Sequence, residues 1–422
     1  MTRLFVVQRL VFAVLISASA CSGYTVLTHE AIVDSVWDTS MRQLLLKRFP
    51  GATPEELEEA HAYAYGGCII QDLGYYPFGS RFFSDLTHYV RSGDFITALI
   101  RDSQDLDEYA FALGALEHYA ADTEGHRIAT NRAVPILYPD LRRKFGIDVT
   151  YWDDPVAHIR TEFGFDVLQV ASARYASERY QSFIGFQVSR DLLERAFLET
   201  YGIEMKDIFG NLSLTLGSYR YSIGSIVPGM TRVAWSMKKA QLKKEIPGIT
   251  RKKFLYNLSR SSYEKHWGTG YHKPGFGTKF LTVLLWIVPK VGPFRVLKVR
   301  IPTPEVEKMF MASFNATVAR CRVLLADVDA GRLELPNENL DLGVVTIAGK
   351  YKGADEAYAK LVGQLAEQQF NGISPDLRQN ILAFYQDAKA APVVARSTEK
   401  EVTAGAKLDE QIDRLKAIPQ SE

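Results

Sequence analysis

The chain has 422 residues, 47% of them hydrophobic and 23% charged, with 50 Lys and Arg against 49 Asp and Glu, and 8 His. This composition excludes a disordered chain, a collagen-like repeat and a strongly basic nucleic-acid-binding protein, and it allows one large or two ordinary domains. The formal net charge of +1 points to no partner, and the three cysteines, Cys21, Cys68 and Cys321, make neither a disulfide framework nor a CxxC zinc pattern.

Residues 1–23 read as a secretory signal peptide. Arg3 and Arg9 give a positive start, Leu10 to Ile16 is a short apolar run, and Ala18-Ser19-Ala20 is a small-residue cleavage signature. The run is too short for a bilayer span, which takes about 20 apolar residues. Cleavage before Cys21 leaves a cysteine suited to a lipid anchor, whereas cleavage after Gly23 leaves Tyr24 as the free amino terminus. From Tyr24 onward there are 48 basic and 49 acidic residues, a net charge of −1.

Helix signals dominate the rest, so the expected class is all-α. Thr53-Pro54-Glu55-Glu56 is a capped start, and Asp154-Pro155 and Thr303-Pro304-Glu305 repeat the pattern. Over 105–128, Leu106, Tyr109, Ala110, Leu113, Leu116 and Ala120 share one helical stripe, as do Tyr358, Leu361, Val362, Leu365 and Ala366 over 358–370. No sustained alternation of period two is present.

The texture changes from about residue 225. Arg232 to Lys265 carries ten Lys and Arg against two Glu, and an apolar run from Phe280 to Val288 contains Trp286. A basic patch beside such a run suits an interfacial membrane-docking element. A core segment flanked by solvated lysines fits equally well. The organisation read from these shifts is a signal peptide over 1–23, a catalytic domain over 24–240, a basic and apolar insertion over 241–302, C-terminal helices over 303–394 and a loosely held polar tail over 395–422.

The histidines carry the chemistry. Six of the eight lie between His29 and His158. In His118-Tyr-Ala-Ala-Asp122-Thr-Glu-Gly-His126, one-turn steps of about 6 Å place three ligands along one helix face, able to feed adjacent metal ions. His158 and Glu162 form a second pair one turn apart, Asp72 and His88 flank an aromatic-rich loop (Tyr75, Tyr76, Phe82, Phe83), and His29 follows Tyr24 by five residues. Imidazole and carboxylate donors without thiolate favour zinc in a hydrolytic site. Any one of these residues alone reads best as a core histidine or a surface ion pair; eight in 134 residues are a different matter. His61 reads as structural or exposed, and His266 and His272 as parts of a Gly-rich turn. No GxSxG elbow or phosphate-binding GxxxxGK[ST] is present.

The ordered string His29, Asp72, His88, His118-x3-Asp122, His126, His158-x3-Glu162 resembles the ligand set of the zinc-dependent phospholipase C family. That family spans the trizinc bacterial phospholipases C, the amino domain of glycosylphosphatidylinositol-specific phospholipase D and, more distantly, fungal single-strand zinc nucleases. The resemblance covers roughly residues 24–240. The Asp122–His126 spacing is shorter than in the toxins and nucleases, and Glu162-Phe-Gly-Phe-Asp166-Val167 resembles the phospholipase D group.

The resemblance implies a compact helical domain holding up to three Zn²⁺. Asp72, His88, His118 and Asp122 would hold one; His126, His158 and Glu162 a second; and His29, a share of Asp122 and the amino and carbonyl groups of Tyr24 the third. Asp72 would be ligand, orienting base or both. The expected protein is an exported hydrolase, secreted or periplasmic or lipid-anchored at Cys21, that cleaves phospholipids in the C-type manner at a peripheral membrane surface, the aromatic loop lining its headgroup site. Nuclease-like or D-type cleavage, and a non-catalytic zinc-stabilised membrane-associated protein, are the alternatives; nucleic acid fits less well because of the Asp122–His126 spacing.

Overall fold

In a computed structural model of the chain, residues 25–171, 186–221, 302–390 and 399–418 are described, with residue 300 and scattered residues between 235 and 251. The expected all-α class is the one adopted. Helix α1 (Val26–Val36) runs through a π turn (Trp37–Met41) into α2 (Arg42–Arg48). Next come α3 (Pro54–Gly67), a 3-10 turn (Ile70–Tyr75), α4 (Arg81–Tyr89), α5 (Ser92–Asp102) and α6 (Leu106–Gly125). A second π turn (His126–Thr130) leads to α7 (Asn131–Leu137), α8 (Pro139–Phe145) and α9 (Pro155–Ala171). Helices α10 (Arg190–Tyr201), α11 (Met205–Ile208) and α12 (Leu212–Tyr221) precede the long α13 (Pro304–Asp329). A two-residue antiparallel pair, β1 (Glu338–Asn339) with β2 (Val344–Val345), then leads to α14 (Lys352–Glu367), α15 (Pro375–Ala390) and α16 (Glu399–Ala417).

The three proline-marked helix starts form for the expected reason. The Thr53 hydroxyl accepts from the Glu56 amide at 3.2 Å while Glu56 accepts from the Thr53 amide at 2.8 Å, a reciprocal capping box. Asp154 accepts from the Ala157 amide at 2.8 Å, and Thr303 from the Val306 amide at 3.3 Å.

Helix α6 is the axis of the fold. Every residue from Tyr109 to Thr123 is buried, well beyond a one-sided stripe, because α1, α3, α5 and α13 pack around it. The crossing with α3 is close enough to demand glycine: a Cβ on Gly114 would lie 2.1 Å from the Ala64 carbonyl oxygen, and one on Gly67 2.0 Å from that of Phe111. This contact brings the end of α3 against the ligand-bearing part of α6.

Phe310, Cys321 and Leu325 of α13, and Tyr358, Leu361 and Leu365 of α14, belong to the same continuous core as α1, α3 and α6. The tail differs from its expected loose state over residues 399–417, which form α16. Ile412 and Leu415 are buried in that core with Leu408 packed against it, an apolar stripe at helical spacing in an otherwise polar segment. Among the described residues no helix is long and apolar enough to cross a membrane. The basic and apolar stretch and the Gly-rich turn with His266 and His272 lie almost wholly outside the described residues, as do Cys21 and Tyr24.

Candidate metal centre

Six separate elements deliver the eight expected side chains to one buried place. Helix α1 supplies His29, the 3-10 turn Asp72, α4 His88, and α6 His118 and Asp122; the π turn begins at His126, and α9 supplies His158 and Glu162. All eight are at most 1% exposed. They converge in three groups whose ligand atoms lie within 4.8 Å of one another: His29, His118 and Asp122; Asp72, His88 and His118; and His126, His158 and Glu162.

Asp122 is the hub. Its Oδ2 lies 3.2 Å from His118 Nε2 and 3.3 Å from His88 Nε2, and its Oδ1 3.5 Å from His29 Nε2. His88 Nε2 is also 3.4 Å from Asp72 Oδ1. In the neighbouring group Glu162 Oε1 lies 2.7 Å from His158 Nδ1 and 3.7 Å from His126 Nε2.

The outward ring nitrogens are fixed, which sets the inward ones. His118 Nδ1–H donates to the Cys68 carbonyl at 2.9 Å and His88 Nδ1–H to the Ser84 carbonyl at 2.8 Å, leaving each Nε2 to face Asp122. His29 Nδ1 faces the Glu117 carboxyl at 3.2 Å. Asn131 donates from Nδ2 to the Asp341 carbonyl at 2.7 Å, so its Oδ1 accepts from His158 Nε2–H at 2.9 Å and the Nδ1 lone pair points at Glu162. His126 Nδ1 lies 3.0 Å from Asp341 Oδ1. Imidazoles held from behind by carboxylates, carbonyls and amides are the usual setting of metal-bound histidine.

Electrostatics agree. Burial, then the His118 charge, pushes His29 down to about 3, and burial with His126 does the same to His158, so both imidazoles are neutral at ordinary pH. Burial opposes ionisation of Asp122, yet His118, His88 and His126 hold its carboxyl well below the usual range. For His88 burial is likewise outweighed, by Asp122 and Asp72, and the ring sits well above its ordinary value. Burial drives Glu162 well upward, as expected of a carboxylate that faces other acids without a cation.

The donor set fits zinc. Both Asp122 oxygens, Glu162 Oε2 and His126 Nε2 are buried without a hydrogen bond, a combination that costs about 1–3 kcal/mol per group and more for charges. Divalent cations in the separate groups would compensate them, and nitrogen and oxygen donors without thiolate suit Zn²⁺. Neither described cysteine takes part: the Cys68 thiol donates to the Tyr65 carbonyl at 3.2 Å, and Cys321 is buried in the core.

Residues 28–211 match the family model described as zinc dependent phospholipase C. Over this stretch the chain is similar to the zinc-dependent phospholipase C family. No curated protein and no solved structure matches the chain. All eight expected ligand side chains lie within the match.

Tyr24, the expected ninth ligand, lies outside the described residues. Of the aromatic loop, only the Tyr75 ring faces the centre, 6.0 Å from His88 and 5.8 Å from Tyr151. Tyr76 packs on Tyr219, Phe83 on Phe197 and Phe209, and Phe82 is likewise core, because the 3-10 turn and α4 present those rings to the interior. His61 is structural and buried, stacked at 3.8 Å on Trp37 with its Nε2 3.2 Å from Asp34. The supporting residues Glu117, Asn131 and Asp341 do not stand out in the sequence. Glu117 could have been noticed beside His118, but Asp341 follows His126 by more than two hundred positions.

Proposed function

We propose that the domain is an exported zinc phosphodiesterase that hydrolyses phospholipids, releasing diacylglycerol and a phosphorylated headgroup. The observation that carries it is the convergence of three ligand groups around oxygens and nitrogens left without hydrogen bonds in a buried site. Asp72, His88, His118 and Asp122 would hold one zinc; His126, His158 and Glu162 a second; and His29 with Asp122 and the amino-terminal Tyr24 a third. Zinc in such sets polarises phosphoryl oxygens and lowers the pKa of water towards neutrality.

The chain's own contribution is orientation and charge. The carbonyls of Cys68 and Ser84, the Glu117 carboxyl and the Asn131 amide aim the ligand lone pairs. Asp72, Asp122 and Glu162 would bring anionic ligands that moderate the positive charge of bound metal. Asp72, a neighbour of His88, would serve as a ligand, as the base that orients the attacking water, or as both. Tyr75 and Tyr151 form an aromatic wall beside His88 and His158, able to exclude bulk water from one side. Export is supported by the signal-peptide pattern of residues 1–23, whose removal supplies the free amino group at Tyr24.

Zinc-loaded protein is to be assayed in parallel on mixed phospholipid vesicles and on single-stranded nucleic acid, with chelator controls. Chelator-sensitive release of phosphorylated headgroup from vesicles supports the reading. Phosphatidic acid as product shows D-type cleavage instead, turnover of nucleic acid alone shows a nuclease, and no turnover of either with zinc retained shows a zinc-stabilised binding protein.

A further inference from the structure

The segment between α13 and α14 is sewn onto the helices that bear the ligands. The Tyr119 hydroxyl donates to the Pro336 carbonyl at 2.8 Å, Ser92 to that of Glu338 at 2.6 Å, the Leu340 amide to that of His88 at 3.1 Å, and Thr346 to that of Tyr89 at 2.9 Å. At its turn Gly343 has φ of 65°, and a Cβ there would lie 2.7 Å from the Thr123 carbonyl oxygen, so the turn sits directly on α6.

This arrangement delivers Asp341, fully buried, to the back of the His126, His158 and Glu162 group. Asp341 Oδ1 lies 3.0 Å from His126 Nδ1, on the side of the ring away from Glu162; the pair is in charge contact short of hydrogen-bond geometry, and neither atom has a hydrogen bond elsewhere. Asp341 Oδ2 accepts from the Tyr89 hydroxyl at 3.0 Å and from that of Tyr351. The Asp341 carbonyl holds the Asn131 amide, which in turn holds His158. A carboxylate needed only to anchor the loop would be satisfied by the two tyrosines. The contact with His126 is additional, and a carboxylate behind a metal-binding imidazole fixes its tautomer and raises the basicity of the other nitrogen.

We infer that Asp341 is a positioning residue for His126, and through Asn131 for His158, so that the metal group of α9 is completed by a segment outside the matched residues 28–211. The inference rests on the metal reading of the proposed function. It makes zinc binding by the domain dependent on the C-terminal part of the chain, with Tyr89 and Tyr351 holding Asp341 in place.

The test uses the full chain and zinc itself. Affinity and stoichiometry are measured by competition with a chromophoric chelator for wild type, Asp341→Asn and Asp341→Glu, and the stability of the metal-free proteins by urea unfolding. Asp341→Asn is expected to weaken one zinc about 10–100-fold while the rest bind as in wild type, with partial recovery in Asp341→Glu. Unchanged affinity at every site in a folded Asp341→Asn protein overturns the inference, as does equal weakening of all sites in proportion to a loss of metal-free stability. If the variant does not fold, ¹⁵N spectra of the zinc-loaded wild type decide: a His126 ring protonated at Nδ1 and metal-bound at Nε2 supports Asp341, and the opposite tautomer overturns it. A wild type that binds no zinc refutes the metal reading itself.

Discussion

Asp122→Asn keeps the shape of the hub side chain and removes its charge. In the metal-free protein the Asp122 carboxylate lies within 3.5 Å of His29, His88 and His118 at full burial. At an effective dielectric constant of about 20, one full positive charge 3.3 Å away attracts it by about 5 kcal/mol. Removing one partner of such a buried pair costs about 3–5 kcal/mol in measured cases. The expected loss of metal-free stability is therefore about 3 kcal/mol, read from the urea midpoint at constant slope. With zinc the effect divides by site. The His29 group loses its carboxylate and the His88 group an anionic neighbour 3.3 Å from His88 Nε2, whereas the group of His126, His158 and Glu162 keeps its three side chains. Chelator competition should show zinc at the first two weakened by at least about 100-fold, equivalent to about 2.7 kcal/mol, with one zinc retained and vesicle hydrolysis lost. A purified Asp122→Asn protein with wild-type zinc content and wild-type rate would refute the assignment of Asp122 as the shared ligand.

Glu117→Gln, which removes the carboxyl behind His29 Nδ1, should weaken one zinc by about 10–100-fold in the same competition assay. Gly114→Ala places a methyl group 2.1 Å from the Ala64 carbonyl and should lower stability by about 3 kcal/mol in urea unfolding, because backbone cannot yield as a flexible side chain does. Asp166 accepts from the Thr28 hydroxyl and the Leu27 amide at the start of α1, yet burial outweighs these bonds and raises it from 3.8 to about 6. A raised carboxyl adds stability that is fully present below pH 3.8 and lost as pH rises through 6. Wild type should therefore lose about 3 kcal/mol relative to Asp166→Asn between pH 3.5 and 7, and parallel pH–stability curves would show the value to be wrong.

Several parts of this protein are local and hence legible. Thr53, Asp154 and Thr303 cap the helices they were expected to start, because a cap depends on a few adjacent residues. His118 with Asp122, and His158 with Glu162, meet because one helical turn fixes their relation. The tail was less legible: three apolar positions among many charges make α16 an amphipathic helix only when a core exists to receive Ile412 and Leu415. The aromatic loop was misleading for a related reason. Tyr75 and Tyr76 are neighbours in sequence, but one ring turns to the metal centre and the other to the core.

By itself the sequence determined the helical class and the pairing of His118 with Asp122 and of His158 with Glu162, which follow from spacing along a regular backbone, while the ordered string of eight candidate ligands came from its resemblance to a known family. Only the tertiary structure decided which ligands share a group, which ring nitrogen each presents, and that Glu117, Asn131 and Asp341 stand behind them. Those relations join residues far apart in the chain, and they exist only once the close crossing of α3 with α6, and the loop laid over both α4 and α6, have brought the backbones together.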